Sequence, residues 1–314
     1  MDCLPVTEST GASYSSKKQG FMHACGHDGH VAILLGVAEV IASMRKNLYG
    51  NVKLVFQPAE EGPGGAKVMI DEGVLSSPKV DAALGLHIWN NLPIGKVGIQ
   101  SGPIMAIADE FELTITGKGG HGANPHQAVD PIVMAAQVIT SLQTIVSRTV
   151  DPLDTAVLSF GIIRGGQAFN IIPKQVELAG TVRTYNSAVR NKIHKKMEEI
   201  VNGITKGFGG SYKLDYKFGY PATVNDFAIT ELVREVAASV LGSKDSIVPT
   251  KSMGGEDMSY FLEKVPGCYF FLGSANRSMK LDAPHHSPYF NFDEAALPIG
   301  VEILVRSVEK LLNT

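Results

Sequence analysis

Within Met22-His-Ala-Cys-Gly-His-Asp-Gly-His30, three imidazoles and one thiol fall inside eight residues. The glycines among them let the backbone bend so that side chains can converge on one point. Such a cluster points to metal-ligand chemistry. Cys25 and His27, a thiolate and an imidazole one glycine apart, are its strongest pair and suit zinc or a similar divalent ion. Two residues cannot close a metal site, so the rest of the chain must supply more His, Asp or Glu. Glu60 and Glu61 are the next informative pair. Neighbouring acids at a strand end point in different directions, so one can bind a metal while the other faces substrate as a proton carrier. His87 and the two imidazoles of Ala283-Pro-His-His-Ser-Pro288 are further donors.

The elements that must position these groups follow from hydrophobic spacing. Val31 to Met44 predicts a helix, with Asp28 and Gly29 near its N-terminus. Val52-Lys-Leu-Val-Phe56 alternates as a strand that ends at Gln57-Pro-Ala-Glu-Glu61. Gly62-Pro-Gly-Gly65 turns the chain, Ala66 to Glu72 reads as a short helix, and Val80 to Leu86 as a strand presenting His87. Ligands of open α/β sheets sit at the C-terminal ends of strands, so Glu60, Glu61 and His87 are expected on one rim.

From Asp109 the pattern changes. Strands are expected at Glu110 to Thr116, Thr155 to Ile163, Gln175 to Tyr185 and Tyr212 to Phe218, with helices at Val129 to Ser147 and Ala188 to Lys206. The order β-α-β-β-α-β is that of a ferredoxin-like unit. The expected organisation is therefore α/β, with residues 1–107 and 220–314 forming one domain and residues 108–219 inserted into it. Beyond Pro221, helices at Ala228 to Leu241, Glu256 to Lys264 and Glu294 to Leu312 and a strand at Cys268 to Leu272 complete the first domain.

Composition narrows the function classes. A formal net charge of −3 with no long run of one sign leaves no footprint for nucleic acid or an anionic membrane. The longest apolar stretch, Val31 to Met44, is broken by Glu39 and falls short of the roughly 20 residues a membrane span needs. Cys3, Cys25 and Cys268 are odd in number and far apart, which speaks against a disulfide framework and for a reducing, cytoplasmic location. No basic segment followed by an apolar core marks the N-terminus as a secretory signal. P-loop, H-E-x-x-H and G-x-S-x-G motifs are missing from the sequence. Gly117-Lys-Gly-Gly-His-Gly122 formally matches G-x-G-x-x-G, but Ala-Asn-Pro-His126 follows it rather than a helix, so dinucleotide binding is rejected. His121 remains as a polar group among glycines. Asn170 and Arg183 are by default structural or surface residues, and Trp89 a packing one.

Several of these motifs together carry a family likeness. Met1-Asp-Cys-Leu-Pro5, the Met22–His30 cluster, Gln57-Pro-Ala-Glu-Glu61, Gly85-Leu-His87, Gly117-Lys-Gly-Gly-His-Gly-Ala123, Asn170-Ile-Ile-Pro173 and His286-Ser-Pro288 occur in order along the whole chain. In these motifs the chain resembles the metal-dependent amidohydrolases that include hippurate hydrolase, N-acyl-amino-acid amidohydrolases and the indole-acetyl-amino-acid hydrolases of plants. The resemblance implies a zinc-peptidase-like catalytic domain with an inserted ferredoxin-like cap and dimerisation domain. It implies two divalent metal ions, zinc or manganese, held by Cys25, His27, Glu61, His87 and His286, with Glu60 as general base. His121, Asn170 and Arg183 match positions that bind the substrate carboxylate or the developing oxyanion, and His121 is a candidate for the neighbouring subunit's site. The substrate expected from it is a small N-acyl amino acid, of N-acetyl, benzoyl or indole-acetyl type, and the expected assembly a homodimer formed through the cap.

Three departures from the family pattern stand out. Cys3 replaces a usual Ala and Gly255 a frequent Ser, neither at an implied ligand. Relatives also carry a helix and the first sheet strands ahead of the Met1–Pro5 motif. The expectation is a scaffold short at its N-terminus and less stable for it, with a metal-binding but catalytically silent protein as the alternative to an active enzyme.

Overall fold

The computed structural model of the chain describes residues 2–62 and 64–313, so Met1 of the Met1–Pro5 motif and Pro63 of the Gly62–Gly65 turn lie outside the described residues. The chain lays down α1 (His27–Met44), α2 (Gly65–Asp71), β1 (Ala83–Pro93), β2 (Val97–Gly98) and β3 (Gly102–Met105). Next come β4 (Ile107–Thr116), β5 (Gly120–His121), α3 (Pro131–Arg148), β6 (Ala156–Gly165), β7 (Ile171–Ile172), β8 (Gln175–Thr184), α4 (Ser187–Gly207) and β9 (Ser211–Tyr220). It ends with β10 (Thr223–Asn225), α5 (Phe227–Val240), β11 (Ile247–Val248), α6 (Ser259–Leu262), β12 (Gly267–Ala275) and α7 (Ala296–Leu312). This mixed α/β chain divides into two compact units. One takes the chain up to Ile104, Thr223–Ser252 and the chain from Glu256; the other takes Met105–Ala222 and Met253–Gly255.

In the first unit a mixed sheet runs in the order β1-β12-β2-β11. β12 lies parallel to β1, with Ala83 opposite Gly267 and His87 opposite Phe271, and antiparallel to β2. Every residue of β12 is buried, as expected for a strand paired on both edges and covered on both faces. Helix α1 buries Ile33, Val37 and Ile41 at four-residue spacing, and these pack with Ile88, Val233, Phe270, Leu272 and Ile303 into one core. Close approach of α1 to the sheet needs Gly29, because a Cβ there would meet Ile88 Cδ1 at 2.5 Å. His27 and His30, on either side of Gly29, meet the middle of β1 at His87 and Ile88, so His87 stands at mid-strand and not, as expected, at the C-terminal end of a strand closing at Leu86.

Val52–Phe56 corrects the sequence expectation: among the described residues no ladder includes this segment. β1 has β12 as its sheet neighbour. Residues 51–57 instead line a cavity of about 820 Å³ together with Ile33, Val37, Leu84, Leu86 and Leu304. Alternation of apolar side chains settles which of them face inward. It does not settle whether the backbone N–H and C=O groups find a neighbouring strand.

The second unit is an antiparallel sheet in the order β6-β8-β4-β9, carrying α3 and α4. Phe111, Leu113 and Ile115 alternate inward from β4 and pack on Met134, Val138 and Leu142 of α3 and Ile193 and Met197 of α4. Asp130 caps α3 by accepting the N–H groups of Ile132 and Val133, and Asn186 caps α4 through Ala188. Asp109, fully buried, accepts from Arg190, from the Tyr216 hydroxyl at 2.8 Å and from the Gly219 N–H at 2.9 Å. Gly117-Lys-Gly-Gly-His-Gly122 does not open a helix but leads through β5, which pairs with β7. Its glycines allow close backbone contact, since a Cβ at Gly117 would lie 2.1 Å from the Val129 carbonyl oxygen.

Candidate metal centre

The expected donors of the first unit come together. Cys25, His27 and His87 form one group in which each contributes an atom within 4.8 Å of the others; Cys25, Glu61 and His286 form a second, and His27, Glu60 and Glu61 a third. Local structure explains each placement. Gly26, at φ +86°, turns the chain between Cys25 and the first residue of α1, so a buried thiol and a helix-borne imidazole face the same point. His87 sits at the buried centre of β1 and donates from Nδ1 to the Ile88 carbonyl at 2.5 Å. That bond fixes the tautomer and leaves the Nε2 lone pair toward Cys25 Sγ, 3.5 Å away. His286 is held at φ +66° while its N–H donates to the Ala24 carbonyl at 2.7 Å, and its Nε2 lies 3.2 Å from Glu61 Oε1. His27 Nε2 lies 3.7 Å from Glu60 Oε2 and 4.0 Å from Glu61 Oε1.

A supporting layer surrounds these groups, of which Asp2 and Glu256 are not singled out by the sequence. Asp2 accepts the Ala59 N–H at 2.8 Å, the Glu60 N–H at 2.5 Å and the Glu61 N–H at 3.4 Å, and stands 3.9 Å from His27 Nδ1. His285 accepts the Asn90 N–H on Nε2 at 3.1 Å, which leaves its Nδ1 proton toward Cys25 Sγ at 3.8 Å. His30 accepts the Ile88 N–H on Nε2 at 2.9 Å and is ring-to-ring with His87 at 4.5 Å. His23 donates from Nδ1 to the Asp2 carbonyl at 2.7 Å. Trp89 stacks on Phe271 with centroids 4.3 Å apart. Glu256, buried, accepts from the Tyr269 hydroxyl at 2.5 Å and the Met258 N–H at 3.0 Å.

His121, Asn170 and Arg183 belong to the second unit. His121 lies exposed in β5, its Nδ1 accepting the Ala123 N–H at 3.0 Å; the carbonyl of Asn170 accepts the Gly122 N–H at 2.8 Å. The β5–β7 pairing brings these two residues close. Arg183 is half-buried in β8 and donates from Nε to Thr181 Oγ1 at 2.9 Å.

Electrostatics tests whether cations fit the rim. Burial, then the charges of Glu256 and Glu61, pushes the Glu60 carboxyl up to about 10. Burial, then the Glu61 carboxylate, pushes the Cys25 thiol far above its ordinary value. Burial, then the neighbouring imidazoles, holds His87 and His30 well below the usual histidine range, so both are neutral. Glu61 is raised by burial but more strongly lowered by His286, Cys25 and His27 together. Its Oε1 is buried without a well-directed hydrogen bond. A glutamate that must otherwise keep its proton beside one held ionised, neutral imidazoles with fixed tautomers and a buried thiol form a donor set that divalent cations satisfy.

Comparison with known proteins extends this picture. Residues 1–310 match the family described as peptidase family M20/M25/M40. The chain is 42% identical over 314 residues to an N-acetyl-L-cysteine deacetylase of Bacillus subtilis, covering 100% of this chain and 73% of that one. It is 39% identical over 307 residues to IAA-amino acid hydrolase ILR1-like 4 of Arabidopsis thaliana, covering 96% and 69%. Among solved structures it is similar to the Bacillus subtilis YXEP protein, described as a dinuclear metal binding peptidase. The TM-score is 0.83 and the identity 34%, with 100% of this chain and 80% of that chain covered.

Proposed function

Because the chain belongs to peptidase family M20/M25/M40, we propose that it is a metal-dependent amidohydrolase cleaving N-acyl amino acids to a carboxylate and a free amino acid. The observation that carries this is the convergence of Cys25, His27, Glu61, His87 and His286 in overlapping donor groups with Glu60 beside them. Those five residues would hold two divalent ions, zinc or manganese, a reading supported by the mixed sulfur, nitrogen and oxygen donors and by the dinuclear relative. Bound there, such ions acidify water and polarise the scissile carbonyl.

The chain's own residues supply the rest. Glu60 takes the proton from the attacking water and returns it to the leaving amine, so the amide C–N bond breaks as the new C–O bond forms. Burial and the neighbouring acids raise its pKa, and cations that neutralised those acids would lower it again, freeing the carboxylate to accept the proton of the attacking water. Asp2 keeps Glu60 and Glu61 in place through their N–H groups. His121, Asn170 and Arg183 are assigned to the substrate carboxylate or the developing oxyanion.

The sheet order β6-β8-β4-β9 with two helices supports reading residues 108–219 as an inserted ferredoxin-like cap, through which two copies associate. A cytoplasmic location is supported by three free cysteines, one of them exposed. Among the described residues no helix is long and apolar enough to cross a membrane.

The test assays N-acetyl, benzoyl and indole-acetyl amino acids with zinc and with manganese, alongside metal analysis and molar mass in solution. About two ions per chain with turnover is the expected result. Metal without turnover would reduce the protein to a metal binder, and neither metal nor turnover would sink the proposal.

A further inference from the structure

Asp257 belongs to none of the donor groups, yet its carboxylate touches both ends of the loop that carries Glu60 and Glu61. It is fully buried. At the loop's entrance the Gln57 side-chain amide donates to Asp257 Oδ1. At its exit the Ala66 N–H donates to Oδ2 at 2.9 Å, and the Gly65 N–H is a further donor. The two ends also meet directly, because a Cβ on Gly65 would lie 1.9 Å from the Pro58 carbonyl oxygen. Between these ends the chain holds Ala59 at φ +62°, a left-handed backbone that a residue with a Cβ adopts only when its surroundings enforce it.

We propose that Asp257 is a positioning residue for hydrolysis, stapling Gln57 to the start of α2 so that Glu60 and Glu61 stay aimed at the metal rim. The inference rests on the roles given above to those two glutamates. Asp2 holds the crown of the loop through the N–H groups of Ala59, Glu60 and Glu61. Asp257 holds its base. A carboxylate suits the task because it only accepts, and its two oxygens serve donors on both sides at once. Asn offers one acceptor oxygen and turns an N–H₂ toward one of the two ends. Placement matters here because roughly 1 Å of misplacement can cost about 10²-fold in rate.

The experiment uses the full chain with Asp257→Asn, and with Gln57→Met as the milder, near-isosteric variant that frees only the entrance. Each is made alone and in the Glu60→Gln background. Both single variants should lower kcat by roughly 10- to 10²-fold with KM within about threefold. In the Glu60→Gln background, with metal kept saturating so that effects through Glu61 are removed, the same changes should cost no more than about twofold further, because Glu60 is no longer there to position. In metal-free protein, hydrogen exchange at residues 59–66 should rise in both variants while β12 stays protected. Wild-type kcat in both single variants, or unchanged exchange in the loop, would overturn the proposal. So would a loss that simply adds to that of Glu60→Gln. If Glu60→Gln itself kept full turnover, the role given to Glu60 would fail, and loop exchange alone would decide whether Asp257 is the staple.

Discussion

His87 Nε2 faces Cys25 Sγ at 3.5 Å because the other ring nitrogen is committed to the Ile88 carbonyl. A strand-borne imidazole and a loop-borne thiol are thus pre-aimed, and the site needs little reorganisation to accept a cation. Metal binding should therefore stabilise the fold by mass action, by about 2.7 kcal/mol at a free metal concentration of 100 times Kd. Chelation should lower the melting temperature of the wild-type protein by several degrees. In Cys25→Ser, which loses the thiolate but keeps the backbone turn at Gly26, chelation should have almost no effect. An equal shift in both proteins, followed by thermal unfolding, would remove Cys25 from the ligand set.

Glu60 and Glu61 should separate by function. Glu60→Gln removes the proposed proton carrier and spares the five proposed donors, so metal content should stay near wild type while kcat falls roughly 10²- to 10⁴-fold. Glu61→Gln leaves a neutral amide beside Cys25 and His286, and metal affinity itself should drop, about 10-fold or more. Metal analysis after dialysis, paired with rates at saturating metal, distinguishes the two. Comparable metal loss in both variants would contradict the division of labour.

Which parts of this site were legible beforehand follows from how each residue declares itself. Cys25 and His27 are conspicuous because rare donor types cluster in sequence, and Glu60-Glu61 because two acids interrupt an apolar pattern. Asp2 and Asp257 give no such signal, and the adjacent imidazoles of His285 and His286 do not reveal that only the second joins a donor group. Their roles exist only through contacts such as that of Asp257 with Ala66, 191 positions away, and a lone acid in a sequence looks like any solvated side chain. His30 lies inside the conspicuous cluster, but only the α1–β1 packing shows that its Nε2 is spent on the Ile88 N–H. The helices were readable from their apolar spacing, since Ile33, Val37 and Ile41 repeat on one face of α1. Val52–Phe56 was misread because alternation reports burial of side chains and not pairing of backbone.

The second unit offers a test that is independent of metal. Tyr216 donates to the buried Asp109 carboxylate at 2.8 Å. Burial, then the Asp109 charge, raises the tyrosine pKa above its ordinary value. An unfolded tyrosine ionises near pH 10, whereas the folded one keeps its proton to higher pH. The stabilisation is therefore complete below pH 10 and is lost as pH rises from there through the folded pKa, at a limiting slope of about 1.4 kcal/mol per pH unit. Tyr216→Phe should cost about 1.5–3 kcal/mol at neutral pH, the worth of a hydrogen bond to a charged group. It should also flatten the stability profile above pH 10 relative to wild type. A variant with the same alkaline slope would show that Tyr216 titrates alike in both states.

Two glycines flanking the Glu60–Glu61 loop should respond in opposite ways to the same added methyl. At Gly65 the new Cβ would stand 1.9 Å from the Pro58 carbonyl oxygen, an atom of the backbone that cannot rotate aside. Relief requires α2 and the loop to separate, which strains the hydrogen bonds that Ala66 and Gln57 make to Asp257. At Gly62 the methyl would meet nothing within 4 Å among the described residues. Gly65→Ala should therefore destabilise the protein by about 1–3 kcal/mol, the usual cost of forced overpacking. Turnover should fall with it, because the displaced segment carries Glu60. Gly62→Ala should leave both melting temperature and kcat close to wild type. Purifying the two variants side by side and measuring unfolding and amidase rate gives a direct comparison. A Gly65→Ala protein as stable and active as Gly62→Ala would mean that the approach of α2 to Pro58 does not fix the position of the loop.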